Sequence, residues 1–145
     1  MQVSPDLVLA YERAVYVVHW PGAVRQIAFG DVLTAADVPL PCRRRFAVVT
    51  ADNPFSRPTA EATNEVGRAV LHGAVEEAGR VSVSSEGRDP NGLWPTEHGV
   101  AAIDPTDREL DDWMVRFGQN AVLDVPLGQP IRLRMHPDVE TVRGS

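Results

Sequence analysis

Cysteine is almost missing from the 145-residue chain: Cys42 stands alone, so no internal disulfide can form and no zinc site of paired cysteines can assemble. That scarcity favours a reducing compartment, and the expected location is the cytoplasm. Positive charge is short as well, with 14 Lys and Arg against 20 Asp and Glu, a net charge of −6 and a pI near 5.1. Binding along nucleic acid needs clustered cations that release counterions, so no nucleic-acid partner is expected. No apolar run approaches the roughly 18 residues of a membrane span, and MQVSPDLVLAYERAVYVVHW at the start lacks the basic opening and small-residue cleavage site of a signal peptide. An unprocessed, soluble chain with no membrane partner is the expectation. Catalytic signatures are lacking too. There is no GxSxG, no Walker A loop and no GxGxxG after a strand, and His19, His72, His98 and His136 show no HxH or HExxH spacing. No metal site is therefore expected, and the sequence names no cofactor.

What is there is 43% hydrophobic and 23% charged residues spread evenly along the chain. Domains near this size bury roughly two-thirds of their unfolded surface, enough for one core without staples. A single domain is expected over 1–145, with its core at about 11–135 and a loosely ordered tail at 136–145. Residues 6–13 suit a short helix. AVYVVHW at 14–20, the Pro21-Gly22 turn and AVRQIAF at 23–29 predict an opening hairpin, and a helical turn fits 34–37. RFAVVTA at 45–51 is a nearly continuous apolar run, the mark of a central strand. Thr59 is a suitable N-cap for a helix over about 60–78 that Gly79 stops, with Ala62, Val66, Ala69, Val70 and Gly73 as its core stripe. A second row, Asn64, Arg68, Leu71 and Val75, starts polar and turns apolar, which suggests a polar pocket over the first turns. A hairpin follows, with strands at 81–86 and 97–103 and a turn at Asp89-Pro90-Asn91-Gly92. Asp104-Pro105-Thr106-Asp107 then supplies an N-cap, a proline at the first helical position and a carboxylate at the positive helix end. Leu110, Trp113, Met114 and Phe117 form one apolar face ahead of the Gly118 stop, and 120–125 and 131–135 give two last strands. This order predicts an α+β fold, a largely antiparallel mixed sheet packed by two main helices in a two-layer sandwich.

Three polar segments fall at element ends, where sites assemble. Thr50, Asp52 and Asn53 lie between a central strand and a long helix, where backbone N–H groups and the helix dipole favour an anion; Asn53 ordering its own turn before Pro54 is the bland alternative. Arg88, Asp89, Trp94 and Glu97 gather at a hairpin tip. There Arg88 could clamp a phosphate or carboxylate and Glu97 serve as a general base, or Arg88 could pair with Glu97 or Asp89 on a solvated tip plugged by Trp94. Arg116, Gln119 and Asn120 bracket a helix end, where they bind a polar ligand or satisfy orphan carbonyls. Glu97 and His98 alternate to opposite faces. Cys42 sits before Arg43-Arg44-Arg45, which would lower its thiol pKa, or it is a small apolar residue at a strand edge.

TADNPFS at 50–56, GRDPNGLWPTE at 87–97 and RFGQNAV at 116–122, taken together, resemble an uncharacterised bacterial family with a domain of unknown function, marked by a TAxNP loop, a later Asn in the next helix, a WPxE-like segment and a terminal FGQxA. The resemblance spans about Tyr11 to Val125 and implies common ancestry without a mechanism. Asp52 departs from it where an uncharged residue is expected, and His98 where a proline or small residue is. From the residues themselves, the expected function is binding of a small anionic or nucleotide-like ligand through Thr50, Asp52, Asn53, Asn64, Arg68, Arg88, Trp94, Arg116 and Gln119, with Glu97 as the catalytic candidate for hydrolysis. The alternative is a non-catalytic protein-interaction or regulatory module anchored by its tryptophans, and a homodimer through an edge strand suits either.

Overall fold

The computed structural model describes residues 2–139. Its elements are α1 (Pro5–Arg13), β1 (Val15–Trp20), β2 (Ala23–Ala28), β3 (Arg45–Thr50), α2 (Glu61–Glu77), β4 (Ser82–Arg88), β5 (Glu97–Ile103), α3 (Asp107–Phe117), β6 (Ala121–Pro126) and β7 (Arg132–Met135), with one-turn 3₁₀ segments at Ala35–Asp37 and Pro54–Ser56. The architecture is α+β, as the element order implies. The seven strands form one sheet in the order β2-β1-β4-β5-β3-β6-β7, and every ladder in it is antiparallel. β3 lies inside it between β5 and β6, both faces covered, which is why its sequence runs apolar without alternation.

The sheet curls until its two edges meet. Gly30 N–H donates to Ile131 O at 3.1 Å and Ile131 N–H to Asp31 O at 2.7 Å, beside a bridge between Val32 and Pro130. These contacts lie just after β2 and just before β7, and among the described residues no ladder pairs the two edge strands themselves. Tyr16, Val18, Trp20, Phe46, Val48, Ala101, Leu123 and Val125 fill the inner face, where Trp20 meets Phe46 edge-on at 5.1 Å between centroids. On the outer face Ala47, Val49, Val100 and Ala102 pack against Leu71 and Val75 of α2 and Leu110, Trp113, Met114 and Phe117 of α3. The second layer is therefore α2 and α3, while α1 sits at one end of the curl, where Tyr16 Oη–H donates to Tyr11 O at 3.0 Å.

Four local expectations need correction. The anticipated α2 stripe of Ala62, Val66, Ala69, Val70 and Gly73 faces solvent. The buried face is the second row, because Leu71 and Val75 bring more apolar surface to the sheet and Asn64 and Arg68 find polar partners beneath the helix. Thr59 does not cap α2, whose N-cap Ala60 has no side-chain bond; the Thr59 N–H is taken by Asn53 Oδ1 at 3.1 Å and its hydroxyl donates to Arg57 O. Thr106 rather than Asp104 caps α3, in a reciprocal box with Glu109. Asp104 instead turns its carboxylate on the backbone N–H groups of Arg43, Arg44 and Arg45 at 2.8, 2.8 and 3.2 Å. That carboxylate also overrules the three arginines at Cys42: burial, then the charge of Asp104, pushes the thiol up to about 11. At the start of the expected tail, His136 is buried and its N–H donates to Asn120 O at 2.8 Å. Residues 140–145 of that expected tail lie outside the described residues.

Candidate functional site

A cleft of about 380 Å³ opens between α1, the Asn53 loop and the long tip joining β4 to β5. Glu97 reaches it from the first position of β5, opposite Gly87, on the inner face of the sheet. Asn53 Nδ2 donates to its Oε2 at 3.1 Å. Burial raises the Glu97 pKa from its usual 4.5 to about 7; the Asn53 bond opposes the rise and the charge of Asp52 adds to it. An acid of that kind is half-ionised near neutral pH, the condition under which a carboxyl both takes and returns protons. Tyr16 stands beside it with its phenol held neutral, raised above the ordinary value first by burial.

Asn53 is held in place by the whole loop. It adopts left-handed backbone angles (φ 47°, ψ 64°), as do Phe55 (φ 54°) and Ser56 (φ 60°). Such conformations cost of order 1–3 kcal/mol each for non-glycine residues and persist only where surroundings enforce them. The enforcement here is specific: Asn53 N–H donates to Asn64 Oδ1 at 3.0 Å, and Asn53 Oδ1 accepts from Asn64 Nδ2 and the Thr59 N–H, both at 3.1 Å. Phe55 N–H donates to Gly118 O. Gly118 itself is left-handed (φ 63°), and a Cβ on it would lie 3.0 Å from Pro54 Cβ and 3.1 Å from the Phe55 ring. The FGQ turn thus clamps the NPF turn from across the fold.

The anticipated residues divide. Asn53, Arg88, Trp94 and Glu97 line the cleft together, with Asn64 directly behind Asn53. Arg88 pairs with Glu86 at 2.7 Å rather than with Glu97 or Asp89, and Asp89 closes its own turn by accepting the N–H groups of Asn91 and Leu93. Asp52 is spoken for: 1% exposed, it receives Arg68 Nε at 2.8 Å and Nη2 at 2.7 Å and the His98 N–H at 2.9 Å. Arg68 also holds Glu61 and lines a separate hollow of about 270 Å³ with His19, His72, Glu86 and His98. Glu97 and His98 do point to opposite faces. Thr50 Oγ donates to His98 O and accepts the Asp52 N–H, ordering the strand end. Gln119 is buried, its Nε2 donating to Asp52 O and Phe117 O at 3.1 and 3.2 Å. Arg116 lies away from the cleft, exposed and 5.3 Å from the Phe117 ring centroid.

Sequence reasoning missed the contribution of α1 and β1. Tyr11 Oη meets Ser56 Oγ at 2.9 Å, and Asn120 Nδ2 donates to both, tying α1 to the loop and to the end of α3. The alternation of AVYVVHW marks Tyr16 as inward-facing, but nothing local joins Tyr11 to Ser56, 45 residues on. Among the described residues no cluster of three or more His, Cys, Asp or Glu could hold a metal ion, and no helix is long and apolar enough to cross a membrane.

Residues 49–122 match a family described as "Protein of unknown function (DUF3293)". The chain belongs to that family. The matched segment runs from β3 into the start of β6 and carries Asn53, Asn64, Arg88, Trp94, Glu97 and Gln119, whereas Tyr11 and Tyr16 precede it. No curated protein and no solved structure matches the chain.

Proposed function

We propose that this cleft binds a small anionic ligand with a flat, nucleotide-like body, and that Glu97 is its proton-accepting group, the base of a hydrolytic step. The observation that carries the reading is a buried carboxyl with its pKa near 7, open to a cleft of ligand size. Trp94, 55% exposed, offers a ring face for a flat body, and Arg13 on the lining supplies a cation for the anionic end, the Arg88 guanidinium being held by Glu86. Site and lone cysteine together fit a cytoplasmic metabolite. The test is a thermal-shift screen of the wild type and Arg13→Ala against nucleotides, sugar phosphates and small carboxylates, with the shift smaller in Arg13→Ala. A ligand at 100 times its Kd adds about 2.7 kcal/mol to the wild type. Glu97→Gln is then expected to lose turnover. If no compound shifts the wild type, the reading falls.

Leu93 at 80% and Trp94 at 55% exposure sit side by side on the tip, and this pair favours a second reading as a non-catalytic interaction module. A small ligand that binds the cleft and is blocked by Trp94→Ala supports the first reading. A protein partner lost on Leu93→Asp, with no small ligand bound, supports the second.

A further inference from the structure

Behind Glu97 the cleft continues into a smaller chamber of about 50 Å³, with Tyr11, Tyr16, Gly87 and Glu97 common to both. A single water needs about 10–15 Å³ of such space, so the chamber takes a small polar group and the atom that carries it. Ser85 lines it, 2% exposed, and its Oγ has no hydrogen-bond partner among the described residues. A buried hydroxyl left unpaired costs of order 1–3 kcal/mol, which an occupant would recover. Ser85 pairs with Gly99 while Glu97 pairs with Gly87, so the two side chains lie diagonally across one ladder on the same face. That spacing suits one small group held between them.

The hydrogen-bonding inventory decides the chemistry of that group. Apart from the Ser85 hydroxyl, the donors around the chamber already have partners: the Tyr11 hydroxyl with Ser56 Oγ, Tyr16 with Tyr11 O, Thr50 with His98 O, and the Gln119 amide with Asp52 O and Phe117 O. What stays open is a set of acceptors, the second oxygen of Glu97, the Oε1 of Gln119 and the lone pairs of Ser85. No Arg, Lys or His lines the chamber, and Glu97 is its one acidic residue. An anion would meet a carboxylate and a single hydroxyl donor there, whereas a group with several N–H donors finds a partner for each.

We propose that the chamber is a subsite for a primary amino group of the ligand, held by Glu97, Ser85 and Gln119. The inference rests on the cleft being a binding site and adds what its inner end selects. With Arg13 at the outer lining, the ligand class becomes a zwitterionic one, amine inward and anion outward.

The probes are benzylamine, benzyl alcohol, benzoate and trimethylbenzylammonium, followed by chemical-shift perturbation of the amides of Ser85, Glu97 and Gln119. Benzylamine is expected to bind at least tenfold more tightly than the others, the trimethyl cation being too bulky and without N–H. Ser85→Val, which fills the chamber and removes the hydroxyl, is expected to abolish that preference. If that variant does not fold, Glu97→Gln carries the test, losing the preference while its affinity for benzyl alcohol stays within twofold. Equal binding of all heads, or an amine preference that survives these substitutions, overturns the subsite and leaves the cleft standing. If no probe binds, the cleft reading itself falls and the subsite with it.

Discussion

Replacing Glu97 by glutamine gives a stability change whose sign depends on pH. The carboxyl has a pKa of about 7 in the fold against an ordinary 4.5. Below pH 4.5 it is protonated in both folded and unfolded chains and contributes no difference. Between 4.5 and 7 the folded chain keeps a proton that the unfolded chain has released, so native stability falls as pH rises. At about 1.4 kcal/mol per pH unit the full loss is about 3 kcal/mol, complete above neutral pH, with water in the cleft trimming it. Glutamine has nearly the same volume, can keep the Asn53 bond through its Oε1 and never ionises. Glu97→Gln should therefore match the wild type in urea denaturation at pH 4.5 and be about 2–3 kcal/mol more stable at pH 8.5. Comparing the two chains at each pH cancels all other titrations. A stability difference that stays constant across that range would refute the reasoning, because it would mean that Glu97 ionises as freely in the fold as outside it.

Arg68→Met should destabilise by about 3–5 kcal/mol, since it leaves the Asp52 carboxylate buried with the His98 N–H as its remaining donor. Adding Asp52→Asn should recover much of that loss, and a double-mutant cycle by urea melts measures the coupling. Gly99→Ala would place a Cβ 2.1 Å from Val49 O. Overpacking usually costs about 1–3 kcal/mol, and contact with backbone puts this site at the upper end or beyond, read as a lowered Tm or loss of soluble protein. Cys42, its thiol raised to about 11, should react with a disulfide reagent at pH 8 about two orders of magnitude more slowly in the folded chain than in urea. Comparable rates would contradict the place assigned to Asp104.

The features legible in the sequence are those that short-range chemistry specifies. Pro21-Gly22 turns a hairpin, Gly79 and Gly118 end helices with φ of +76° and +63°, and the four-residue face of α3 is buried because its large apolar residues fall on one side. α2 misled because its most regular stripe is built of small residues, while its larger ones, Leu71 and Val75, share a face with Asn64 and Arg68. Polarity there marks a buried network rather than a solvated side. Long-range partners stayed hidden for the same reason. Asp104 answers to backbone N–H groups about 60 residues earlier, and the Asn53–Glu97 bond joins elements 44 residues apart. The candidate site was half visible: Asn53, Arg88, Trp94 and Glu97 carried the polar and aromatic signal, but the walls from Tyr11 and Tyr16 and the pairing of Asp52 with Arg68 emerge only once the chain is folded.

The most direct measurement is a carbon-detected NMR titration of the Glu97 side-chain carboxyl in the folded protein. A midpoint near 7 that moves when a ligand enters the cleft is the expected result. A midpoint between 4 and 5, unmoved by any ligand, would mean an ordinary solvated carboxylate and would contradict a functional role for Glu97.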